Sequence, residues 1–271
     1  SSRSAPGQEY SIGVGQNNDE MGVFKFRKFD VRNEKSAMKV NTDGVLLGAA
    51  TDVLAGDRRV LDVGTGTGTV ALMIAQRMED QTSDWCVQGI DIDVPSSEEA
   101  ADNFSRSPWN LHLKSVNMSL SAFRKADPDA RYDLIVSNPP YYDNSLQAPD
   151  ARRNTARHTG DPESPSGTEP LSYREILEYA SSALDERGRV SMILPSDQEK
   201  PLIRHARMCG FVPWKVLRIR SVERKPVSRL IVQFVRRGQT DGSVREESLT
   251  LLDEKGKRTS QHASLVTDYY L

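Results

Sequence analysis

The sequence predicts an α/β fold built on a mostly parallel, seven-stranded sheet, with helices on both faces and a C-terminal antiparallel hairpin. Between residues 59 and 209, short β-branched runs alternate with helical patterns over short connections. This alternation indicates a parallel sheet, because a crossover helix must carry the chain back before each next parallel strand. The runs at residues 212–219 and 228–235 lie too close together for such a crossover. They are therefore predicted to pair as the antiparallel hairpin.

Each element before the hairpin is predicted from the spacing of its apolar residues. The strands are predicted at residues 59–63, 87–92, 111–116, 132–137 and 190–194, and the helices at residues 69–78, 96–104, 172–186 and 197–209. The helix at 172–186 has Ser172 as its cap and Glu175 three residues later, which is a capping-box pattern. Gly188 is predicted to close that helix, and Gly210 to end the helix at 197–209. A further short strand is predicted at residues 248–252.

The amino-acid composition excludes several classes of function. Over 271 residues, 36 Lys and Arg nearly balance 38 Asp and Glu, for a formal charge of −2. Binding of nucleic acid through net charge alone is therefore excluded, although a local basic patch is not. Cys86 and Cys209 are the only cysteines, which excludes a disulfide framework and a Cys-rich zinc site, and we expect no metal. No apolar run approaches about 18 residues, and no signal-peptide core is evident. We expect a soluble, cytoplasmic monomer.

The chain is predicted to form one domain, residues 21–271, behind a tail. Residues 1–20 are polar and Gly-rich, which predicts a mobile segment. The first methionine is Met21, which leaves open whether the whole tail is native. Residues 143–170 contain four prolines and almost nothing apolar. A loop of that length inside a compact domain is usually functional or disordered, and we expect it to contact the substrate.

A glycine-rich loop follows the first predicted strand of the sheet. Asp62 precedes Gly64, Gly66 and Gly68, and the helix begins at Thr69. The spacing is not that of a dinucleotide fingerprint, and the Gly-Lys-Ser/Thr of a P-loop is absent. The loop resembles motif I of the S-adenosylmethionine-dependent methyltransferases of the Rossmann-like class I. That resemblance implies that the glycines let the backbone approach the cofactor and that Asp62 pairs with its ammonium group. The alternative is a tight turn without a ligand.

Two further strand ends are candidates for cofactor contacts. Asp91 ends the second strand, where an acidic side chain can accept hydrogen bonds from ribose hydroxyls. Asp93 lies two residues on and competes for this role, and the alternative is that both acids cap the next helix. By resemblance, Asn117 at the end of the third strand takes the place of an acid that contacts the adenine amino group. Its carbonyl oxygen can still accept a hydrogen bond.

The fourth strand is followed by Asn138-Pro139-Pro140-Tyr141. The two prolines fix the backbone, so that the carbonyls before them are held in one direction. A flat amino group can donate one hydrogen to the Asn138 side-chain oxygen and the other to the Pro139 carbonyl, which favours the pyramidal nitrogen that attacks a methyl group. Tyr141 offers a ring for stacking on a base. The motif resembles motif IV of methyltransferases that act on adenine N6, cytosine N4, guanine N2 or a glutamine amide. The alternative is a simple turn before a helix.

Positive charge is concentrated in three segments. Residues 22–39 hold six Lys and Arg against two acids, and residues 213–237 hold eight against Glu223. A third group, with Arg152, Arg153 and Arg157, lies in the loop after Tyr141. Such clusters favour contacts with RNA phosphates, and the alternative is solvated strand edges. The candidate RNA-binding residues are Lys25, Arg27, Lys28, Arg157, Arg220, Arg224 and Lys225.

A resemblance that extends beyond these motifs limits the choice among the possible substrates. The stretches at residues 37–49, 107–109, 138–142, 156–159 and 268–271 are similar to those of the bacterial tRNA1(Val) (adenine(37)-N6)-methyltransferases. This resemblance implies that Thr42 and Asp43 lie beside the cofactor and that the target is the adenine next to the anticodon. That base lies in a loop of the tRNA, so little energy is needed to splay it out. The alternatives are a protein glutamine or ribosomal RNA amino-methyltransferase, and a cofactor-binding and RNA-binding module without turnover.

Overall fold

The computed structural model describes residues 22–82, 84–140 and 171–271. The described strands are β1 (Val23–Lys25), β2 (Asp30–Arg32), β3 (Arg59–Val63), β4 (Cys86–Asp91), β5 (Leu113–Asn117), β6 (Tyr132–Ser137), β7 (Leu184–Pro195), β8 (Phe211–Val222), β9 (Arg229–Arg236) and β10 (Arg245–Leu252). The described helices are α1 (Thr42–Ala50), α2 (Thr69–Met78), α3 (Val94–Arg106), α4 (Leu120–Ala126), α5 (Tyr173–Ala183), α6 (Glu199–Met208) and α7 (Ser260–Val266). The predicted tail at 1–20 and the predicted loop at 143–170 lie outside the described residues.

The main sheet has the strand order β10-β8-β9-β7-β6-β3-β4-β5. Strands β3 to β7 are parallel, and β9 is antiparallel to both β7 and β8. The predicted α/β fold with a C-terminal antiparallel hairpin is therefore confirmed. The sheet has eight strands rather than seven, because β10 begins at Arg245 and adds to the edge in parallel with β8. A separate two-stranded sheet is formed by β1 and β2.

Helices cover both faces of the main sheet, as predicted. On one face, apolar residues of α1, α2, α3 and α7 form a buried cluster with the sheet. On the other face, apolar residues of α4, α5 and α6 do the same. Successive side chains of β3 point to opposite faces of the sheet, so Val60 packs into the first cluster and Leu61 into the second. Each fully buried aliphatic side chain of this kind contributes about 1.5–3 kcal/mol.

Three of the described helices were not predicted from the sequence, and the reasons are physical. Helix α1, TDGVLLGAA, is buried on nearly all sides, so it lacks the polar face that makes an amphipathic pattern visible. Its start is fixed instead by Asn41, whose side chain accepts a hydrogen bond from Gly44 N at 2.9 Å. Helices α4 and α7 have seven residues each, which is too short for a periodic signal.

The predicted role of Gly188 was wrong. Helix α5 ends at Ala183, and β7 begins at once with Leu184, whose backbone is extended. Gly188 lies inside β7, where a Cβ atom would stand 2.6 Å from Leu184 Cγ and 3.0 Å from the carbonyl oxygen of Asp133. The register with β6 shifts at the same place. Glycine is needed here for close approach of the strands, not to end a helix.

Three phenylalanines lie among the basic residues of the segment at 22–39, and they are core residues. Phe24, Phe26 and Phe29 are all buried, and the ring centroids of Phe26 and Phe29 lie 4.6 Å apart. Phe26 also bridges to Tyr270 through its backbone, so the two ends of the described chain pack together. These rings stabilise the fold and are not available to stack on an RNA base.

We expect Phe26→Ala to lower the free energy of unfolding by about 3–5 kcal/mol, because it removes a buried ring from an aromatic cluster. Chemical denaturation monitored by circular dichroism would measure this. Leu111→Ala is the matched control, since Leu111 is 93% exposed and its loss should cost under about 0.5 kcal/mol. Equal stability of the two variants would contradict the core assignment.

Candidate active site

A cavity of about 570 Å³ opens at the carboxyl ends of β3, β4 and β6. This is the edge at which ligands bind in parallel α/β sheets, and the volume lies within the usual range of about 300–1,000 Å³ for small-molecule sites. Its walls come from the glycine loop, the end of β4, the start of α4, the end of β6 and the start of α5. Its lining residues include Met38, Gly64, Gly66, Asp91, Ile92, Asp93, Met118, Ser119, Asn138, Pro140, Leu171 and Glu175.

The glycine loop needs glycine for two different reasons. Gly64, Gly66 and Gly68 all have positive φ angles, of 74°, 56° and 87°, which other residues rarely adopt. Gly64 and Gly66 line the cavity. Gly68 does not line it, and a Cβ atom there would stand 2.6 Å from Phe104 Cε1. Gly68 therefore allows α3 to pack against the start of α2, while the other two leave backbone open to a ligand.

The structure separates the roles of Asp91 and Asp93. The Asp91 carboxylate accepts hydrogen bonds from Gly66 N at 2.8 Å and from Asp93 N at 2.9 Å. Both acids line the cavity, and burial raises the pKa of Asp91. Asp93 accepts from Ser96 N at 3.1 Å and so caps α3. Asp91 is thus the acid that ties the glycine loop to the cavity wall, and helix capping falls to Asp93.

Asp62 lies beneath the glycine loop. Its carboxylate accepts a hydrogen bond from Thr65 Oγ1 at 2.8 Å and is 2% exposed as a residue. Burial raises the pKa of Asp62 to about 7, with the nearby charge of Asp91 acting in the same direction. Asp62 also lines a second, smaller cavity of about 30 Å³ together with Asn41, Gly44 and Asn138. That space is large enough for a small polar group or a water molecule.

The raised pKa of Asp62 predicts a specific pH dependence. The folded chain favours the protonated acid more than the unfolded chain does, so this group lowers the free energy of unfolding as pH rises from about 4 to about 7. Each pKa unit corresponds to about 1.4 kcal/mol. We expect the difference in stability between the wild type and Asp62→Asn to change over this pH range and to level off above it. Denaturation of both proteins between pH 4 and 8 would measure this, and a pH-independent difference would contradict it.

Asn138 stands at the junction of the two cavities. It follows β6 directly, and the preceding Ser137 Oγ donates to Val63 O at 2.7 Å, which fixes the end of the strand. Asn138 lines both cavities, Pro140 lines the larger one, and Pro139 is buried. Tyr141 lies outside the described residues. A half-buried amide is thereby held on a proline-stiffened backbone next to the glycine loop.

Other predicted cofactor residues lie near the cavities without lining them. Asn117 Nδ2 donates to the carbonyl oxygens of Asp91 at 2.9 Å and Ile92 at 3.1 Å, so its amide nitrogen holds the end of β4, while Met118 and Ser119 reach the cavity. Thr42 and Asp43 form the first turn of α1. They flank the lining residues Asn41 and Gly44.

Most residues of the cavity wall were not among the sequence candidates. Four of them are Met38, Ile92, Leu171 and Glu175. The sequence offered one signal for Ile92, namely an apolar residue directly after Asp91. In the structure this residue is 54% exposed at the end of a buried strand. The others come from segments distant in sequence, which periodicity alone does not place.

The basic clusters are separated by the fold. Because β8 runs parallel to β7, the turn between β8 and β9 lies at the carboxyl edge where Asn138 lies. This turn carries Arg224 and Lys225, with Arg220 just before it. By contrast, Lys28 pairs with Glu79 beyond the last turn of α2, about 15 Å along the helix from the glycine loop. Lys25 and Arg27 are exposed on the same small sheet region, and Arg157 lies outside the described residues.

Comparison with known proteins identifies the family. The methyltransferase small domain family matches residues 35–161. A tRNA1(Val) (adenine(37)-N6)-methyltransferase of Bacteroides fragilis is 36% identical over 248 residues, covering 92% of this chain and 97% of that protein. The enzyme of the same name from Trichodesmium erythraeum is 33% identical, covering 92% of this chain and 97% of that protein. The chain belongs to the tRNA1(Val) (adenine(37)-N6)-methyltransferase family.

A solved structure supports the fold of this methyltransferase. A protein from Agrobacterium tumefaciens described as a predicted O-methyltransferase matches with a TM-score of 0.57 and 16% identity, over 84% of this chain and 96% of that one. The curated relatives and the family model confirm the sequence resemblance to the tRNA1(Val) (adenine(37)-N6)-methyltransferase family and the prediction of a methyltransferase. In the described ranges, no helix has the length and apolar character needed to span a membrane.

Proposed function

We propose that this methyltransferase transfers the methyl group of S-adenosylmethionine to the exocyclic N6 of an adenine in tRNA, namely adenine 37 of tRNA1(Val), in the cytoplasm. The observation that carries the proposal is the position of Asn138 and Pro139. In a member of this family, Asn138 lines a cavity that Gly64, Gly66 and Asp91 also line, and the buried Pro139 follows it directly in the chain. A flat amine and a methyl donor can both be placed there.

The residues around the two cavities fit S-adenosylmethionine. Asp62 is a buried acid beside the small cavity, and a cationic ammonium group there would stabilise its ionised form. Asp91 can accept hydrogen bonds from ribose hydroxyls at the end of β4. Ile92 and Leu171 offer apolar surface to the adenine ring from different walls. Bound there, the cofactor would supply an electrophilic methyl group on a positively charged sulfur.

The protein's own contribution to the reaction is positioning. The Asn138 side-chain oxygen and the Pro139 carbonyl accept the two hydrogens of the target amine, which directs the nitrogen lone pair out of the ring plane. Proline rigidity keeps these acceptors in place without reorganisation during the reaction. Methylation makes the nitrogen cationic, and its proton is then lost readily to water. A strong general base is not needed.

Basic residues at the same edge support tRNA as the substrate. The exposed Arg224 and the neighbouring Arg220 and Lys225 can contact phosphates beside the cavity. We expect Arg224→Gln to weaken tRNA binding and to reduce the slope of log Kd against log salt concentration by about 1. Filter binding at several salt concentrations would measure it. Lys28→Gln is the matched control, because Lys28 pairs with Glu79 away from this edge. Equal slopes for Arg224→Gln and the wild type would contradict a phosphate contact.

The direct test uses the purified protein with labelled S-adenosylmethionine and unmodified tRNA1(Val). We expect label in N6-methyladenosine at position 37, identified by nuclease digestion and mass spectrometry. A transcript with guanine at position 37 should accept no label. Label in release factors or ribosomal RNA, offered in parallel, would overturn the proposed substrate. Tight binding of tRNA without transfer would favour a module without turnover.

A further inference from the structure

A partly buried ion pair joins the start of α1 to the start of β9. Arg229 Nε donates to Asp43 Oδ2 at 3.1 Å, and each side chain is only 16% exposed. The other carboxylate oxygen of Asp43 is buried and has no hydrogen-bond partner among the described residues. Removing Arg229 takes this ion-pair partner from the Asp43 carboxylate, in a place with little exposure to solvent. The pair therefore constrains strongly where the two elements can lie.

The two members of this pair lie near two parts of the proposed site. These are the turn that carries Arg224 and Lys225, called the basic turn, and the side chain of Asn138. Arg229 directly follows the basic turn and lies in register with Pro195 of β7 and Ile219 of β8. On the other side, Asp43 directly precedes Gly44 in the first turn of α1. A Cβ atom on Gly44 would stand 4.0 Å from Asn138 Nδ2 and 3.5 Å from Asn41 Oδ1. The first turn of α1 therefore lies close to the Asn138 amide.

We propose that Asp43 and Arg229 are a positioning pair, which holds the first turn of α1 against Asn138 and so fixes the direction of the amide that receives the target amine. This inference rests on the proposed function of Asn138. It gives Asp43 a role through its neighbour rather than through a cofactor contact. It also links the basic turn, where tRNA would bind, to the residue that orients the reacting nitrogen.

A second ion pair provides a matched control at the other end of the same helix. Asp52 lies just after α1, and Lys215 Nζ on β8 stands 3.4 Å from its Oδ1. The two side chains are 14% and 26% exposed. This pair ties α1 to the same hairpin, but at the edge of the sheet away from Asn138. Lys215→Gln should therefore loosen the helix without disturbing its first turn.

The test compares Arg229→Gln, Asp43→Asn, the double variant and Lys215→Gln in steady-state assays on tRNA1(Val). We expect a fall in kcat of about 10- to 100-fold for each single variant of the positioning pair, since small misplacements of reacting groups have effects of this size. The KM for tRNA and the Kd of S-adenosylhomocysteine should change less than about twofold. The double variant should be no worse than the worse single variant. Arg229→Lys should recover part of kcat, and Lys215→Gln should keep it.

Two results would overturn the proposal. A loss of S-adenosylhomocysteine affinity in Asp43→Asn but not in Arg229→Gln would indicate a direct cofactor contact. An equal fall of kcat in Lys215→Gln and Arg229→Gln, at equal loss of thermal stability, would indicate a purely structural role.

Hydrogen exchange separates this proposal from the proposed function. Arg229→Gln should speed amide exchange in the first turn of α1, and Lys215→Gln only in its last turn, whatever the substrate is. If the wild type fails to methylate tRNA, the proposed function fails, while the exchange pattern still tests the constraint on α1. Unchanged exchange in the first turn of Arg229→Gln would refute that constraint.

Discussion

Asn138→Ala is expected to lower kcat for methyl transfer by roughly 10²- to 10³-fold, the scale of losing one preorganised polar contact to the reacting group. Alanine removes the side-chain oxygen that accepts from the target amine and leaves the Pro139 carbonyl as the other acceptor. The cofactor's proposed contacts with Asp62 and Asp91 are untouched, so the Kd of S-adenosylhomocysteine should change less than about threefold. Initial rates with tRNA and calorimetric titration of S-adenosylhomocysteine would measure the two effects.

Two further variants serve as comparisons for Asn138→Ala, one conservative at the same position and one at a residue away from the cavity. Asn138→Asp keeps an acceptor but places a charge beside the reacting nitrogen. We expect it to be impaired too. Asn110→Ala serves as the control, because Asn110 is exposed after α3 and away from the cavity. A rate for Asn138→Ala above half that of the wild type would contradict the proposed role of the amide.

Asp91→Ala should weaken the binding of S-adenosylhomocysteine by about 10- to 100-fold. Hydrogen bonds to a charged group contribute about 1.5–3 kcal/mol each, and about 1.4 kcal/mol corresponds to a factor of ten in Kd. The variant also removes the acceptor for Gly66 N, which loosens the glycine loop. Isothermal titration calorimetry at constant pH would give the Kd directly.

Asp93→Ala separates the ribose contact from helix capping. It removes the cap of α3, which should cost about 1 kcal/mol of stability, and it leaves Asp91 in place. Its affinity for S-adenosylhomocysteine should stay within about threefold of the wild type. Equal affinity of Asp91→Ala and the wild type would remove the ribose assignment from Asp91.

Much of the site could be predicted because its signals are local in sequence. Gly64 and Gly66 follow a buried strand, Asp91 ends the next one, and Asn138 precedes two prolines. Each of these patterns is contained in a few neighbouring residues. Since the carboxyl ends of parallel strands meet at one edge, the fold class alone brings such residues together. The structure places Gly64, Gly66, Asp91 and Asn138 on one cavity.

Other roles could not be predicted because they depend on partners far away in sequence. Asp43 was expected beside the cofactor, yet its carboxylate pairs with Arg229, 186 residues further along the chain. Lys28 belonged to a basic cluster, yet it pairs with Glu79. Gly188 looked like a helix end, yet it serves a close strand contact. In each case a side chain or a missing Cβ responds to a neighbour that only folding supplies.

By itself, the sequence determined the strands of the main sheet, the glycine loop and the proline-stiffened asparagine, because hydrophobic periodicity and turn chemistry act over short stretches of chain. Only the tertiary structure decided which charges lie exposed at the carboxyl edge of the sheet and which neutralise one another. It also decided that the first turn of α1, a helix without a polar face, lies close to Asn138. Electrostatic pairing and close packing act through space, so their outcome depends on how distant segments are brought together.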